Sequence, residues 1–163
     1  MKIDATHIFG GLLYQGQWPM PGPGLAQAGF KTLILCAREF QPPYAIPDVI
    51  SSLPGFRQPT PYPGVKVFFA PNDDDGEVPH REDLALALEA AHEVAWNLER
   101  GQKVLSTCWQ GRNRSGLVSA LGLHLFLGCS GQEAVGLVQT ARRNALTNGA
   151  FVEVLNRLRP VRG

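Results

Sequence analysis

Residues 103–128 read KVLSTCWQGRNRSGLVSALGLHLFLG, and this stretch decides the architecture. KVLST (103–107) is a short apolar run of strand character, and residues 115–128 are apolar nearly all round, as a helix at the centre of a domain must be. Between them, the loop 107–116 carries Gly111 and Gly116 and sets Cys108 and Arg114 six positions apart. The N-terminus of a helix presents unpaired backbone N–H groups and a partial positive charge, which bind phosphate and stabilise a thiolate alike.

The flanking sequence continues the alternation of strand and helix. TLILCA (32–37) suits a strand buried on both faces, and a short helical turn closed by Gly29 precedes it. HIFGGLLYQGQWP (7–19) holds two short runs with the character of edge or hairpin strands. VKVFFA (65–70) is a further strand, with the polar loop PNDDDGEVP (71–79) at its C-terminal end. Helices are predicted over 80–101, 130–143 and 148–158; Ser130 and Glu133 have capping-box spacing, and Trp96 is expected in the core. Prolines at 42, 43, 47, 54, 61 and 63 make 41–64 an insertion without long regular structure, apart from one or two helical turns at DVISSL. The expected fold class is α/β: a single domain over 1–163, with a central, mostly parallel sheet flanked by helices.

A chain of 163 residues builds one core. Its net charge of +1, with 18% charged residues, supplies no basic field, so nucleic acid is not an expected partner. Cys36, Cys108 and Cys129 are odd in number and lack CxxC spacing, which signals neither a disulfide framework nor zinc. The opening residues lack a signal-peptide core and no run approaches a membrane span, so a reducing, cytoplasmic setting is expected.

If residues 109–114 curl with their amides inward, Trp109, Gln110, Gly111, Arg112 and Asn113 form a nest for a phosphoryl group with Cys108 at its base. Arg114 closes the ring with a planar fork, and Ser115 donates to the Cys108 sulfur. Trp109 and Arg112 either face the substrate or are ordinary exposed loop residues. The chemistry is covalent phosphoryl transfer, which also needs an acid for the leaving group. Asp73, Asp74 and Asp75 are the candidates, a solvated turn being the alternative for DDDG. Asp73, Asp75, Gly76 and Glu82 also fall in calcium-loop register, but Pro71 occupies the first ligand position, so no metal is expected.

The loop resembles the Cys-x5-Arg-Ser/Thr signature of cysteine-dependent protein tyrosine phosphatases, and the chain is most similar to their small dual-specificity branch. LLYQGQWP, AGFKTLILCA, VKVFFAPNDDD, VLSTCWQGRNRSG and RRNALTNGAF occur in that family's order. The resemblance implies a phosphatase-like fold and hydrolysis through a phosphocysteine, with no cofactor. Cys108 is then the nucleophile, Arg114 the phosphate clamp, Ser115 the hydroxyl facing the thiolate, Asp74 or its neighbour Asp73 the acid, and Asn148 an asparagine bordering the site. The implied partner is a phosphotyrosine, phosphothreonine or phosphoserine protein. A phosphoinositide, inositol phosphate or RNA 5′-phosphate is the alternative that Arg112 favours. Most members carry His before the nucleophile where this chain has Thr107, the one feature favouring a phosphate-binding pseudophosphatase. Cys36 reads as a core residue; pairing with Cys108 on oxidation, as in some members, is the alternative.

Overall fold

The computed structural model describes residues 3–38 and 62–161. Strands β1 (Thr6–Phe9) and β2 (Leu13–Gln17) form a hairpin, followed by the one-turn helix α1 (Gly24–Gln27) and β3 (Phe30–Ala37). After the Pro-rich segment come β4 (Lys66–Asn72), α2 (Arg81–Glu99) and β5 (Lys103–Cys108). Helices α3 (Arg114–Leu127), α4 (Gly131–Ala141) and α5 (Gly149–Asn156) complete the order. The described strands make one sheet in the order β1-β2-β5-β3-β4, antiparallel only between β1 and β2. The fold is therefore the α/β, mostly parallel architecture expected.

β3 is apolar from Leu33 to Ala37 because two cores meet on it. Ile34 and Cys36 pack with α2, α3 and α4, whereas Leu33 and Leu35 pack with Leu25, Tyr62 and Leu105 on the other face. The sheet thus buries alternate residues of one strand in different layers. Most of the Pro-rich segment 41–64, expected to be an insertion and including DVISSL, lies outside the described residues. Where the described chain resumes, Tyr62 is fully buried and its hydroxyl donates to the Pro19 carbonyl at 2.6 Å.

Several expected boundaries move. Pro71 and Asn72, read as loop, end β4; proline is tolerated there because, among the described strands, β4 is at the edge of the sheet with no ladder to complete on its outer side. β3 starts at Phe30, since exposed Lys31 interrupts the apolar pattern without interrupting the strand. β2 is interior, between β1 and β5. Trp96 is half exposed, with the Arg100 guanidinium 3.7 Å from its ring centroid, so its apolar face is covered by a neighbouring side chain instead of the core.

Helices α2 and α3 meet at Gly122, where a methyl group would lie 2.6 Å from Val94 Cγ1. Gly122→Ala is expected to lower stability in urea unfolding by roughly 1–3 kcal/mol through overpacking. Adding Val94→Ala should recover part of that loss. Strict additivity of the two changes would show that the helices do not meet at this point.

Candidate active site

Cys108 is the last residue of β5, flanked by β2 and β3, so its sulfur emerges at the carboxyl edge of the parallel strands where open α/β sheets bind ligands. The residue is almost wholly buried, and its Sγ lies 3.2 Å from Ser115 Oγ. Ser106 Oγ donates to the Ser115 carbonyl at 2.9 Å, tying the first turn of α3 to the strand that carries the thiol. Asn113 stands at the N-cap of α3, yet its side chain makes no capping bond. The first amides of α3 are thus left uncapped by that side chain.

Asp74, Cys108, Trp109, Gln110, Arg112, Asn113 and Arg114 line a cleft of about 230 Å³. Arg114 is nearly buried, and its Nη1 donates to the Asn72 carbonyl at 3.2 Å, which fixes the guanidinium at the end of β4. Trp109 is 56% exposed at the rim, and Arg112 is partly exposed beside it. Gly111 is not among the residues that line the cleft, and the position of its missing side chain is turned away from it. Its φ is +69°, and an added Cβ would point backwards into Gly16, 2.4 Å from the carbonyl carbon. Glycine is required there by conformation and by space together.

The three adjacent aspartates have different partners. Asp73 pairs with Arg38 Nε at 3.0 Å, and Arg38 Nη2 also reaches Asp83 at 2.6 Å. Asp75 accepts from the Glu77 amide at 3.0 Å, an ordinary turn contact. Asp74 alone lines the cleft, and both its oxygens are held: Oδ1 by Asn148 Nδ2 at 2.7 Å and Oδ2 by Asn113 Nδ2 at 3.0 Å. Asn148 also caps α5, its Oδ1 accepting from the amides of Ala150 and Phe151. It borders the site by orienting Asp74 from outside the cleft lining.

Thr107 is fully buried, and its hydroxyl donates to the Ile34 carbonyl of β3 at 2.8 Å. It serves the sheet. Cys36 is wholly buried with its Sγ 4.0 Å from Ser106 Oγ, and desolvation, reinforced by the nearby Cys108, pushes its thiol well above the ordinary range. Three groups stayed hidden in the sequence reading: Arg38, which takes Asp73 away from the cleft, and Gln15 and Arg142, which reach the loop from behind. No local pattern marks them, because each acts across a long sequence separation.

A cysteine and an arginine bracketing a loop between a parallel strand and a buried helix, on this sheet order, define the fold of the cysteine-dependent phosphatases. Solved structures of phosphatases share this fold with the chain, among them one of a dual-specificity phosphatase, DUSP28, in agreement with the resemblance read from the sequence. A variant of human DUSP28 matches at 25% identity and TM-score 0.69, covering 96% of this chain and 94% of that one. Tk-PTP in its active form matches at 24% identity and TM-score 0.68, covering 97% of each. PTPMT1 in complex with PI(5)P matches at 18% identity and TM-score 0.69, over 94% and 93% of the two chains. No protein-family model and no curated protein matches the chain. No helix among the described residues is long and apolar enough to cross a membrane.

The dual role of Asn148 is separable. Asn148→Ala should lower stability in urea unfolding by about 1 kcal/mol as the cap of α5 is lost. Asn148→Ser, which still offers a capping oxygen, should lose less than half of that. Equal losses would mean that the bond to Asp74, and not the cap, carries the stabilisation.

Proposed function

We propose that the protein is a cysteine-dependent phosphomonoesterase in which Cys108 is the nucleophile, Arg114 the phosphate clamp, Ser115 the thiolate's hydrogen-bond donor and Asp74 the general acid. The carrying observation is convergence: Cys108, Arg114 and Asp74 line one cleft of about 230 Å³. That volume is below the roughly 300–1,000 Å³ of ordinary small-molecule sites, and it suits a phosphoryl group with a short part of what carries it.

The thiolate of Cys108 attacks phosphorus, forming an S–P bond as the ester P–O bond breaks. The Asp74 carboxyl passes its proton to the departing oxygen. Water then attacks phosphorus, giving its proton back to the Asp74 carboxylate, and the S–P bond breaks to release phosphate and restore the thiolate. Arg114 and Ser115 stabilise the charge on the equatorial oxygens and on sulfur respectively. Asp73 is left out because its carboxylate is committed to Arg38. A binding-only pseudophosphatase has no use for a nucleophile and an acid held together, so hydrolysis is the better reading.

The substrate class we favour is a phosphotyrosine, phosphothreonine or phosphoserine protein, with half-exposed Trp109 offering a flat apolar surface at the rim. A polyphosphorylated ligand such as a phosphoinositide, an inositol phosphate or an RNA 5′-end is the second reading, supported by Arg112 in the cleft lining.

Cys108→Ser is expected to abolish turnover of an aryl phosphate while retaining phosphate or vanadate binding, and Arg114→Lys to impair both. Turnover by the serine variant near the wild-type rate would end the covalent proposal. Asp74→Asn should slow alkyl phosphates, which have poor leaving groups, by roughly 10²–10⁴-fold and nitrophenyl phosphate far less. Asp73→Asn should show no such dependence. Arg112→Ala should reduce kcat/KM for polyphosphorylated ligands by about 1–3 kcal/mol in transition-state binding and change little for nitrophenyl phosphate. Equal reductions would make Arg112 part of the loop's scaffold.

A further inference from the structure

Behind the loop, on the side away from the cleft, three consecutive carbonyls are held by side chains and backbone that take no part in the chemistry proposed above. Arg142 Nη2 donates to the Gln110 carbonyl at 3.0 Å. Gln15 Nε2 donates to the Gly111 carbonyl at 2.9 Å and reaches the Arg112 carbonyl at 3.5 Å. The Arg112 carbonyl also accepts from the Leu146 amide at 3.0 Å. Leu146 has a φ of +55°, alone among the described non-glycine residues in the left-handed region. A leucine held there stores strain of roughly 1–2 kcal/mol.

In a planar trans peptide, a carbonyl and the following N–H point in opposite directions. Drawing the carbonyls of residues 110, 111 and 112 backwards therefore turns the amides of Gly111, Arg112 and Asn113 towards the cleft. Arg142 is itself fixed. Its guanidinium pairs with Asp4 at 2.9 Å, and Nη1 donates to Thr6 Oγ1 at 2.7 Å and to the Gln15 carbonyl at 3.3 Å. That guanidinium holds the Asp4 carboxyl below its usual range. The fit leaves no room for side chains: a Cβ on Gly16 would lie 1.7 Å from the Asp4 carbonyl oxygen, and one on Gly111 would lie 2.8 Å from Arg142 Nη2.

Resting on the phosphatase reading, we propose that Gln15 and Arg142 are positioning residues that set the anion-accepting form of the loop by holding its carbonyls outward, with Asp4 locking Arg142 in place. The N-terminal segment is thereby a strut of the active site. Its glycines are the surfaces across which strut, β2 and loop touch.

The test is Arg142→Met, which keeps the length of the side chain and removes its donors. A melting transition controls for folding, vanadate titration reads anion binding, and the ¹H–¹⁵N resonances of residues 110–113 read the loop directly. A folded Arg142→Met protein is expected to bind vanadate about 10- to 100-fold more weakly, the loss of one charge-assisted bond or so. Its loop resonances should shift or broaden while those of α2 stay in place. Unchanged vanadate affinity with wild-type loop resonances would overturn the proposal. Should Arg142→Met fail to fold, Gln15→Met, which leaves the Asp4 pair intact, carries the same expectation and the same refutation. Wild-type protein that neither binds vanadate nor hydrolyses an aryl phosphate would end the phosphatase reading, while the loop resonances of the variants still judge the brace.

Discussion

A peptide plane has two polar ends, and a loop that aims its amides at an anion must find partners for the carbonyls it turns away. Unpaired, each buried carbonyl would cost free energy comparable to a lost hydrogen bond. Residues 108–114 meet this constraint with help from outside the loop: Gln15 from β2, Arg142 from the end of α4, and Leu146 from the turn that follows. Much else in the structure follows from it. Gly111 is needed because β2 passes directly behind the loop, Gly16 because the backbone of Asp4 passes against β2 in turn, and Asp4 meets Arg142 there.

The sheet delivers the loop to that position. β5 runs parallel to both of its neighbours, pairing Gln17 with Cys108 on one side and Leu35 with Thr107 on the other, so the thiol leaves the sheet between two interior strands. Thr107, one residue earlier, is absorbed by its bond to the Ile34 carbonyl. Its hydroxyl is spent on tying β5 to β3, so in the proposed mechanism the charge at Cys108 falls to Ser115, Arg114 and the backbone.

The parts of this arrangement legible in the sequence are those with a local signal. The apolar run before Arg38 marks a doubly buried strand, Ser130 and Glu133 mark a cap that forms with a 3.1 Å bond, and Cys108 to Ser115 mark a strand-to-helix loop. What could not be read is long-range. Gln15 and Gly111 are 96 positions apart, and Arg142 and Asp4 are 138. Asp73 and Asp74 are equivalent as letters; Arg38, 35 positions before Asp73, takes one of them out of the cleft. Trp96 was misplaced for a related reason, because helical spacing does not reveal that Arg100 covers it at the surface.

Asn113 links the two halves of the proposed reaction. It belongs to the loop that would hold the phosphoryl group, and through its amide nitrogen it grips the carboxyl that would protonate the leaving group. Its Oδ1 meanwhile accepts from the Asn148 amide at 2.8 Å, and Asn148 holds the other oxygen of Asp74. The acid is thus referenced to the loop itself and to the first turn of α5, instead of to the polar turn from which it springs. Proton transfer requires heavy atoms within about 2.6–3.2 Å, and a misplacement of ~1 Å can cost about 10²-fold in rate. A turn as exposed as residues 73–77 cannot hold such a tolerance alone; two side-chain amides anchored at the N-caps of α3 and α5 can.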